Sequence, residues 1–202
     1  LETQQQGSPI RKTMNFDVPL CAEQLEYFAG VARSVTGQTL PVGPWCMSTT
    51  VKEPLGVVGI ITPWNFPALM VVWKLGAAVV MGNACVVKPT SVAPLTALKL
   101  GEIFLEAGAP PGVVNVITGP GGTVGEALVS HPGVQKIGFT GDTATGKQIM
   151  SIASSHVKQL GLELGGKNAF VVMPDADVDS AVQGAIFAGF FNTGQVCAAA
   201  SR

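Results

Sequence analysis

Between Leu55 and Ser155 the chain alternates between two kinds of hydrophobic pattern. Short runs that are nearly all apolar, Gly56–Thr62, Ala84–Lys88, Val113–Thr118 and Gln135–Thr140, read as buried strands. Each is followed by a longer block with helical spacing: Ala68–Val80, Ala93–Ala107, Thr123–Ser130 and Thr143–Ser155. A strand that is apolar on both faces needs cover on both, and right-handed strand–helix–strand crossovers supply it. The pattern predicts an α/β fold: a doubly wound, Rossmann-like parallel sheet, with ligands at the carboxyl ends of its strands.

The flanks follow other rhythms. Leu1–Pro19 is polar and unperiodic, whereas Pro19–Val35 places Leu20, Leu25, Phe28, Val31 and Ala32 at helical spacing. In Thr36–Pro54 the breakers Gly37, Pro41, Gly43 and Pro44 punctuate short β-type runs such as Ser48–Val51, which suits an extended arm or hairpin. Past His156, Gln159–Gly165 and Asn168–Met173 read as two strands around Gly165-Gly166. Asp175, Asp177 and Asp179 then open a last helix, where acids cap and stabilise an N-terminus without any metal. The apolar stretch Ala181–Phe191 has the spacing of a buried helix and leads into Phe190–Arg202.

Composition narrows the function classes. The chain has 202 residues, of which 47% are hydrophobic and 12% charged, with net charge −1; mean hydropathy is +0.40. That length holds one sizeable domain, or one domain and part of a second. The near-neutral charge gives no reason to expect a nucleic acid or an anionic membrane as partner. The longest candidate for a membrane span, Ala68–Met81, is interrupted by Lys74. Cys21, Cys46, Cys85 and Cys197 are widely spaced, with no CxxC pair and no histidine at ligand spacing. This points away from zinc and from a disulfide framework, and towards a reducing, cytoplasmic setting. His131 and His156 stand alone and read as surface or boundary residues.

Candidate chemistry sits where strands end. In Thr62-Pro63-Trp64-Asn65-Phe66-Pro67 two prolines fix a turn, so Asn65 either caps the next helix or is held as an oxyanion donor. Lys88, ending an apolar strand before Pro89-Thr90-Ser91, suits a ribose or phosphate, or simply snorkels. Gly119-Pro120-Gly121-Gly122-Thr123-Val124-Gly125 and Phe139-Thr140-Gly141-Asp142-Thr143-Ala144-Thr145-Gly146 are glycine turns that feed helix N-termini, where free amides receive anions. Glu163, among apolars and glycines, is either a base or the partner of Lys167. Cys197 follows Gly194 in a small, uncharged setting, which fits inert filling or a nucleophile.

Together, PWNFP, KPTSVAPLTAL, FTGDTATG, LELGGK and FNTGQVCAAASR, in this order, resemble the NAD(P)-dependent aldehyde dehydrogenase superfamily from Leu20 onward. The resemblance implies Cys197 as the thiol that attacks an aldehyde, with Asn65 and the cysteine backbone N–H stabilising the oxyanion. It implies Glu163 as the base that activates water for deacylation. It also implies NAD or NADP as cofactor, with contacts from Ile61, Thr62, Trp64, Lys88, Ser91, Gly121, Gly125, Phe139, Gly141, Asp142, Thr145 and Leu164. The expected partners are a small-molecule aldehyde and further copies of the chain, as a dimer or tetramer of the full-length protein. Met70–Lys74 resembles the betaine-aldehyde group. A CoA-acylating semialdehyde dehydrogenase is the alternative enzyme, though a hydrolytic Glu163 is superfluous when CoA accepts the acyl group. A non-catalytic nucleotide-binding or structural protein of the same fold is the third reading, against which the trio Asn65, Glu163 and Cys197 speaks.

Two positions depart from the family pattern. Ser91 stands where NAD-preferring relatives often carry glutamate, and Asp142 where serine commonly faces the pyrophosphate. Family members also continue well past the cysteine, so the chain reads as a fragment, inactive alone. Its expected divisions are 1–35 (N-terminal helical part), 36–54 (oligomerisation arm), 55–164 (cofactor domain) and 165–202 (start of a catalytic domain).

Overall fold

The computed structural model describes residues 1–202. The chain enters through two short helices, α1 (Glu2–Gln6) and α2 (Ile10–Lys12), a π turn over Thr13–Asp17 and the longer α3 (Val18–Val31). An antiparallel ribbon of β1 (Thr39–Pro41) and β2 (Met47–Thr49) follows, with Leu40 opposite Ser48. Next come β3 (Val57–Ile61), α4 (Pro67–Val80), β4 (Ala84–Lys88), α5 (Leu95–Glu106) and β5 (Val114–Val116). A second run holds a π turn over Gly121–Gly125, α6 (Glu126–Ser130), β6 (Val134–Gly141), α7 (Thr143–Ser154) and β7 (Gln159–Leu164). The last helix, α8 (Val178–Phe190), ends in a turn over Phe191–Gly194.

The five strands β5-β4-β3-β6-β7 pair in that order, all parallel. The α/β, doubly wound expectation therefore holds, and the direction of winding reverses between β3 and β6. The residues divide between the faces as the pleat requires. Val58 and Ile60 pack with Val71, Leu75, Val87 and Ala97 beneath α4 and α5. Val57 and Ile61 pack with Leu128, Ile137, Phe139 and Ile149 beneath α6 and α7. Ile60, Val71, Leu75 and Val87 are fully buried, each contributing about 1.5–3 kcal/mol of transfer free energy. Gly82, at φ +79, ends α4 and turns the chain into β4, a conformation glycine adopts without steric cost.

Three sequence expectations are corrected. Leu1–Pro19 is not featureless, because α1, α2 and the π turn lie in it. Its polar side chains cap other helices: Glu2 Oε1 accepts from Ala68 N at 3.0 Å, and Gln5 Oε1 accepts from Leu95 N at 2.6 Å. Those caps serve α4 and α5, neither of which carries a side-chain cap of its own. Asn168–Met173 forms no strand; only a bridge between Asn168 and Ala200 remains. The helix expected to be buried over Ala181–Phe191 forms as α8, but none of its residues is buried, and Val178, Phe187 and Phe190 are 63–74% exposed. Hydrophobic spacing reports which face is apolar, not whether anything covers it.

Candidate active site

Where β3 ends, Pro67 takes the first position of α4 and Phe66 its N-cap, so Asn65 is not the helix cap. Its amide instead crosses to the cysteine loop, Asn65 Nδ2 donating to Gln195 O at 2.9 Å. Asn192 Nδ2 donates to Asn65 O at 3.2 Å and to Gln195 O at 3.4 Å, while Ser8 Oγ donates to Asn192 Oδ1 at 3.3 Å. Gln6 Nε2 donates to the same Asn65 carbonyl. The loop is sharply wound: Asn192, Thr193 and Gly194 have φ of +52, +61 and +74. It opens into a turn, closed by Ala199 N donating to Val196 O at 3.0 Å, that presents Cys197 as an exposed, free thiol. Cys21 and Cys85 are buried, and burial pushes both thiols up to about 12.

Behind this loop lies an aromatic group. Phe191 meets Phe16, Phe66 and Phe187 at ring-centroid distances of 5.3, 6.2 and 5.0 Å. Lys12 Nζ lies 4.4 Å from the centre of the Phe66 ring and 2.7 Å from the fully buried Asp17. Burial pushes the Asp17 carboxyl up against the pull of Lys12. The pair is shielded from water, and the cost of burying the carboxylate opposes the attraction of Lys12.

Glu163 ends β7 on the α4 side of the sheet. Its bland alternative, pairing with Lys167, does not occur; Lys167 Nζ lies 3.5 Å from Gly166 O. Glu163 instead lines a cavity of about 380 Å³ together with Trp73, Lys74, Lys136 and Gly161. Burial lowers the Lys74 pKa, and the Glu163 charge opposes that fall. The segment after Glu163 runs on to the cysteine, with Asn168 Nδ2 donating to Cys197 O at 2.8 Å. Asn65 is thus tied to the cysteine loop through the Gln195 carbonyl, and Glu163 lies at the end of the strand from which the chain runs back towards that loop.

The other side of that edge carries a groove. Ile61, Gly121, Gly125 and Thr145 line it together with Gly122, Gln148 and Ile149, enclosing about 180 Å³ between the π turn and α7. The Lys88 stem lies against Gly125, where an added Cβ would stand 3.6 Å from Cδ. Its ammonium donates to Pro89 O at 2.8 Å, and burial lowers its pKa. Ser91 Oγ donates to Gly119 O at 2.9 Å and ties the ends of β4 and β5 together. Phe139 is core, packed against Gly141, and Leu164 packs on α7 at Gly146. Trp64 is exposed. Asp142 caps α7: Thr145 Oγ1 donates to Oδ2 at 2.6 Å and Thr145 N to Oδ1 at 2.9 Å, which holds the carboxyl below its usual range. The α7 N-terminus is therefore already occupied by the chain's own anion.

Some of this was not anticipated from sequence. Thr140 Oγ1, like Thr62 Oγ1, is a buried hydroxyl without a partner at a strand end facing the reversal point. Asn192, Gln195 and Lys74 were also missed as site residues. Lys74 did carry a signal, as the one charge within the apolar run Ala68–Met81. No three His, Cys, Asp or Glu side chains gather as a metal site. The glycine-floored groove, with the Lys88 stem against Gly125, can receive an extended phosphate-bearing ligand; across the edge, a thiol, an amide and a carboxylate can carry out acyl chemistry.

Comparison with known proteins gives the family. The model for the aldehyde dehydrogenase family matches residues 1–202, and the chain belongs to that family. Human retinaldehyde dehydrogenase 3 is 51% identical over 203 residues, covering 100% of this chain and 40% of the relative. Among solved structures, PnpE in complex with nicotinamide adenine dinucleotide superposes with a TM-score of 0.97 at 45% identity, over 100% of this chain and 41% of PnpE. An NADP-dependent enzyme of E. coli superposes at 0.96 with 42% identity, over 100% of this chain and 42% of that one. The chain thus spans about two fifths of the length of the relatives it matches. No helix is long and apolar enough to cross a membrane.

Proposed function

We propose that this chain provides the cofactor domain and the nucleophile of an enzyme that oxidises an aldehyde to a carboxylic acid with NAD or NADP. The observation that carries the reading is the Asn65 Nδ2–Gln195 O bond of 2.9 Å, which brings an amide donor to the loop of an exposed thiol. Cys197 Sγ gives an electron pair to the aldehyde carbon, and the carbonyl π pair moves to oxygen. Asn65 and the Cys197 backbone N–H meet that oxyanion. A bound nicotinamide dinucleotide supplies the two-electron acceptor that turns the thiohemiacetal into a thioester. Glu163 then takes a proton from water, the resulting hydroxide adds to the thioester carbon, and Cys197 leaves as thiolate.

The groove lined by Ile61, Gly121, Gly125 and Thr145 suits the dinucleotide, and we assign Thr62, Trp64, Lys88, Ser91, Phe139, Gly141 and Leu164 to the same cofactor from the family motifs in which they lie. Structural neighbours with NAD and with NADP dependence support either cofactor. Asp142, at the turn assigned to the cofactor, also caps its own helix by accepting from Thr145 N. The aromatic group Phe16, Phe66, Phe187 and Phe191 beside the cysteine loop favours aldehydes with apolar bodies. We assign 1–35 to the N-terminal helical part, 36–54 to an oligomerisation arm, 55–164 to the cofactor domain and 165–202 to the start of a catalytic domain. The β1–β2 ribbon, with Leu40, Trp45 and Met47 exposed, is the start of an arm that joins copies of the full-length protein. Free cysteines throughout suit a cytoplasmic setting.

Glu163→Gln in the full-length protein tests the assignment. Stopped-flow absorbance should show the first burst of reduced cofactor intact, then steady turnover slower by about 10²-fold. Loss of the burst with steady turnover preserved would assign Glu163 to the wrong step.

A further inference from the structure

We propose that Asn192 is a positioning residue for acylation, setting the direction of the Asn65 amide through the Gln195 carbonyl; this rests on the functional reading above. The Asn65 side chain has one hydrogen bond, from Nδ2 to Gln195 O at 2.9 Å, and its Oδ1 is buried without a partner. Nothing else therefore fixes the amide plane. A primary amide carries two N–H bonds about 120° apart in that plane. With one held by Gln195 O, the direction of the second follows, and it is this second N–H that is free for an oxyanion.

The place of Gln195 O then decides the geometry, and Asn192 holds it from the other side. Asn192 Nδ2 spans the Gln195 carbonyl at 3.4 Å and the Asn65 carbonyl at 3.2 Å, stapling the cysteine loop to the turn after β3. Its own Oδ1 accepts from Ser8 Oγ at 3.3 Å, which anchors the staple in the N-terminal segment. The left-handed backbone at Asn192, φ +52, is one that asparagine tolerates better than most residues. A general structural clamp and a positioning residue differ in what they change. The clamp changes how much protein is folded and active; the positioning residue changes the rate at each active site.

The experiment uses the full-length protein and variants that keep the left-handed backbone. Asn192→Gly removes the donor and keeps the φ. The single-turnover rate of reduced-cofactor formation per titrated active site should fall about tenfold, while burst amplitude and cofactor affinity stay at the parent values. Asn192→Asp keeps the size of the side chain and an acceptor for Ser8 Oγ but removes the donor, so the same rate should fall at least as far as in Asn192→Gly. Ser8→Ala, which leaves the loop backbone alone, should lower the same rate by about twofold. Parent-like rates per titrated site in Asn192→Gly or Asn192→Asp overturn the positioning role. If the parent is active but Cys197→Ala keeps turnover, the functional reading fails instead, and this proposal with it.

Discussion

Between Val57 and Ala153 the chain buries both faces of a sheet, whereas after Ala153 no residue is fully buried. In the first region each strand is pinned by parallel neighbours and by side chains with no exposed surface, such as Ile60, Val87 and Ile137. In the second, the cysteine loop hangs on a few polar bonds: Asn65 to Gln195, Asn192 to Asn65, Asn168 to Cys197. The difference assigns labour. Burial supplies a rigid edge on which Asn65 and Glu163 are mounted, and hydrogen bonds then hold the Cys197 loop against that edge while leaving its thiol exposed. A thiol packed into the sheet, as Cys85 is, has its pKa driven up and is useless as a nucleophile.

The sharpest way to separate the regions is Cys197→Ala. Turnover in the full-length protein should fall by about 10³-fold or more, while cofactor affinity and the unfolding midpoint are unmoved, because the side chain is exposed and packs nothing. A large fall in the unfolding midpoint would mean that the loop carries structural weight and that the division of labour is wrong.

The two regions also differed in how legible they were. The sheet could be read because a covered parallel strand writes its burial into consecutive residues: Ala84–Lys88 was located to the residue, and Gly56–Thr62 to within one at each end. The residue types of the site were legible too, since Asn65, Glu163 and Cys197 lie in motifs that carry over as written. What joins them was not. The capping of α5 by Gln5, ninety residues earlier in the chain, leaves no local periodicity. Nor does the grip of Asn192 on a carbonyl 127 positions away. The segment Asn168–Met173 falls short of a strand for a related reason: its β-type sequence meets only Ala200–Arg202, through the Asn168–Ala200 bridge and the bonds from Ser201 N to Asn168 O and from Phe170 N to Arg202 O. Polar ties between distant segments are set by tertiary position, which hydrophobic spacing does not encode.

Glycine-to-alanine exchanges sharpen the contrast in stability. At Gly59, in the central strand, an added methyl would lie 2.7 Å from Ile137 Cδ1, 3.1 Å from Leu128 Cγ and 3.3 Å from Val134 Cγ1. Gly59→Ala should cost about 1–3 kcal/mol in denaturant unfolding, the usual price of overpacking a dense core. At Gly165, beyond the sheet, a methyl would meet nothing within 4 Å, so Gly165→Ala should stay within about 0.5 kcal/mol of the parent. Equal costs at the two sites would erase the distinction between a packed and an open region.

Smaller still is the expected effect at the cofactor edge. Ser91 leaves no carboxylate to repel a 2′-phosphate, but its hydroxyl already donates to Gly119 O, and Lys88 is turned to Pro89 O. Both cofactors should therefore be used, with a modest preference. Ser91→Glu should move the ratio of kcat/KM for NADP to that for NAD about tenfold towards NAD, a shift of roughly 1.4 kcal/mol. An unchanged ratio would remove Ser91 from cofactor discrimination.

The smallest effect tests whether the rigid edge depends on charge at all. Asp142 caps α7 through Thr145 Oγ1 at 2.6 Å and Thr145 N at 2.9 Å, bonds that favour the carboxylate and lower its pKa. A depressed folded-state pKa contributes stability that is present above the unfolded value, about 3.9, and is lost as pH falls through the lower folded value. The group is exposed, so solvent screens it and the contribution is that of an ordinary cap. Asp142→Ala should therefore cost about 1 kcal/mol near neutral pH in urea unfolding, and the gap to the parent should close as both are acidified below about pH 4. Asp142→Asn keeps an oxygen acceptor without a charge, so its stability relative to Asp142→Ala should be nearly independent of pH. If the cost of Asp142→Ala were instead constant down to pH 3, the carboxylate would contribute as a hydrogen-bond acceptor alone, and the edge that mounts the site would owe its rigidity to burial without help from charge.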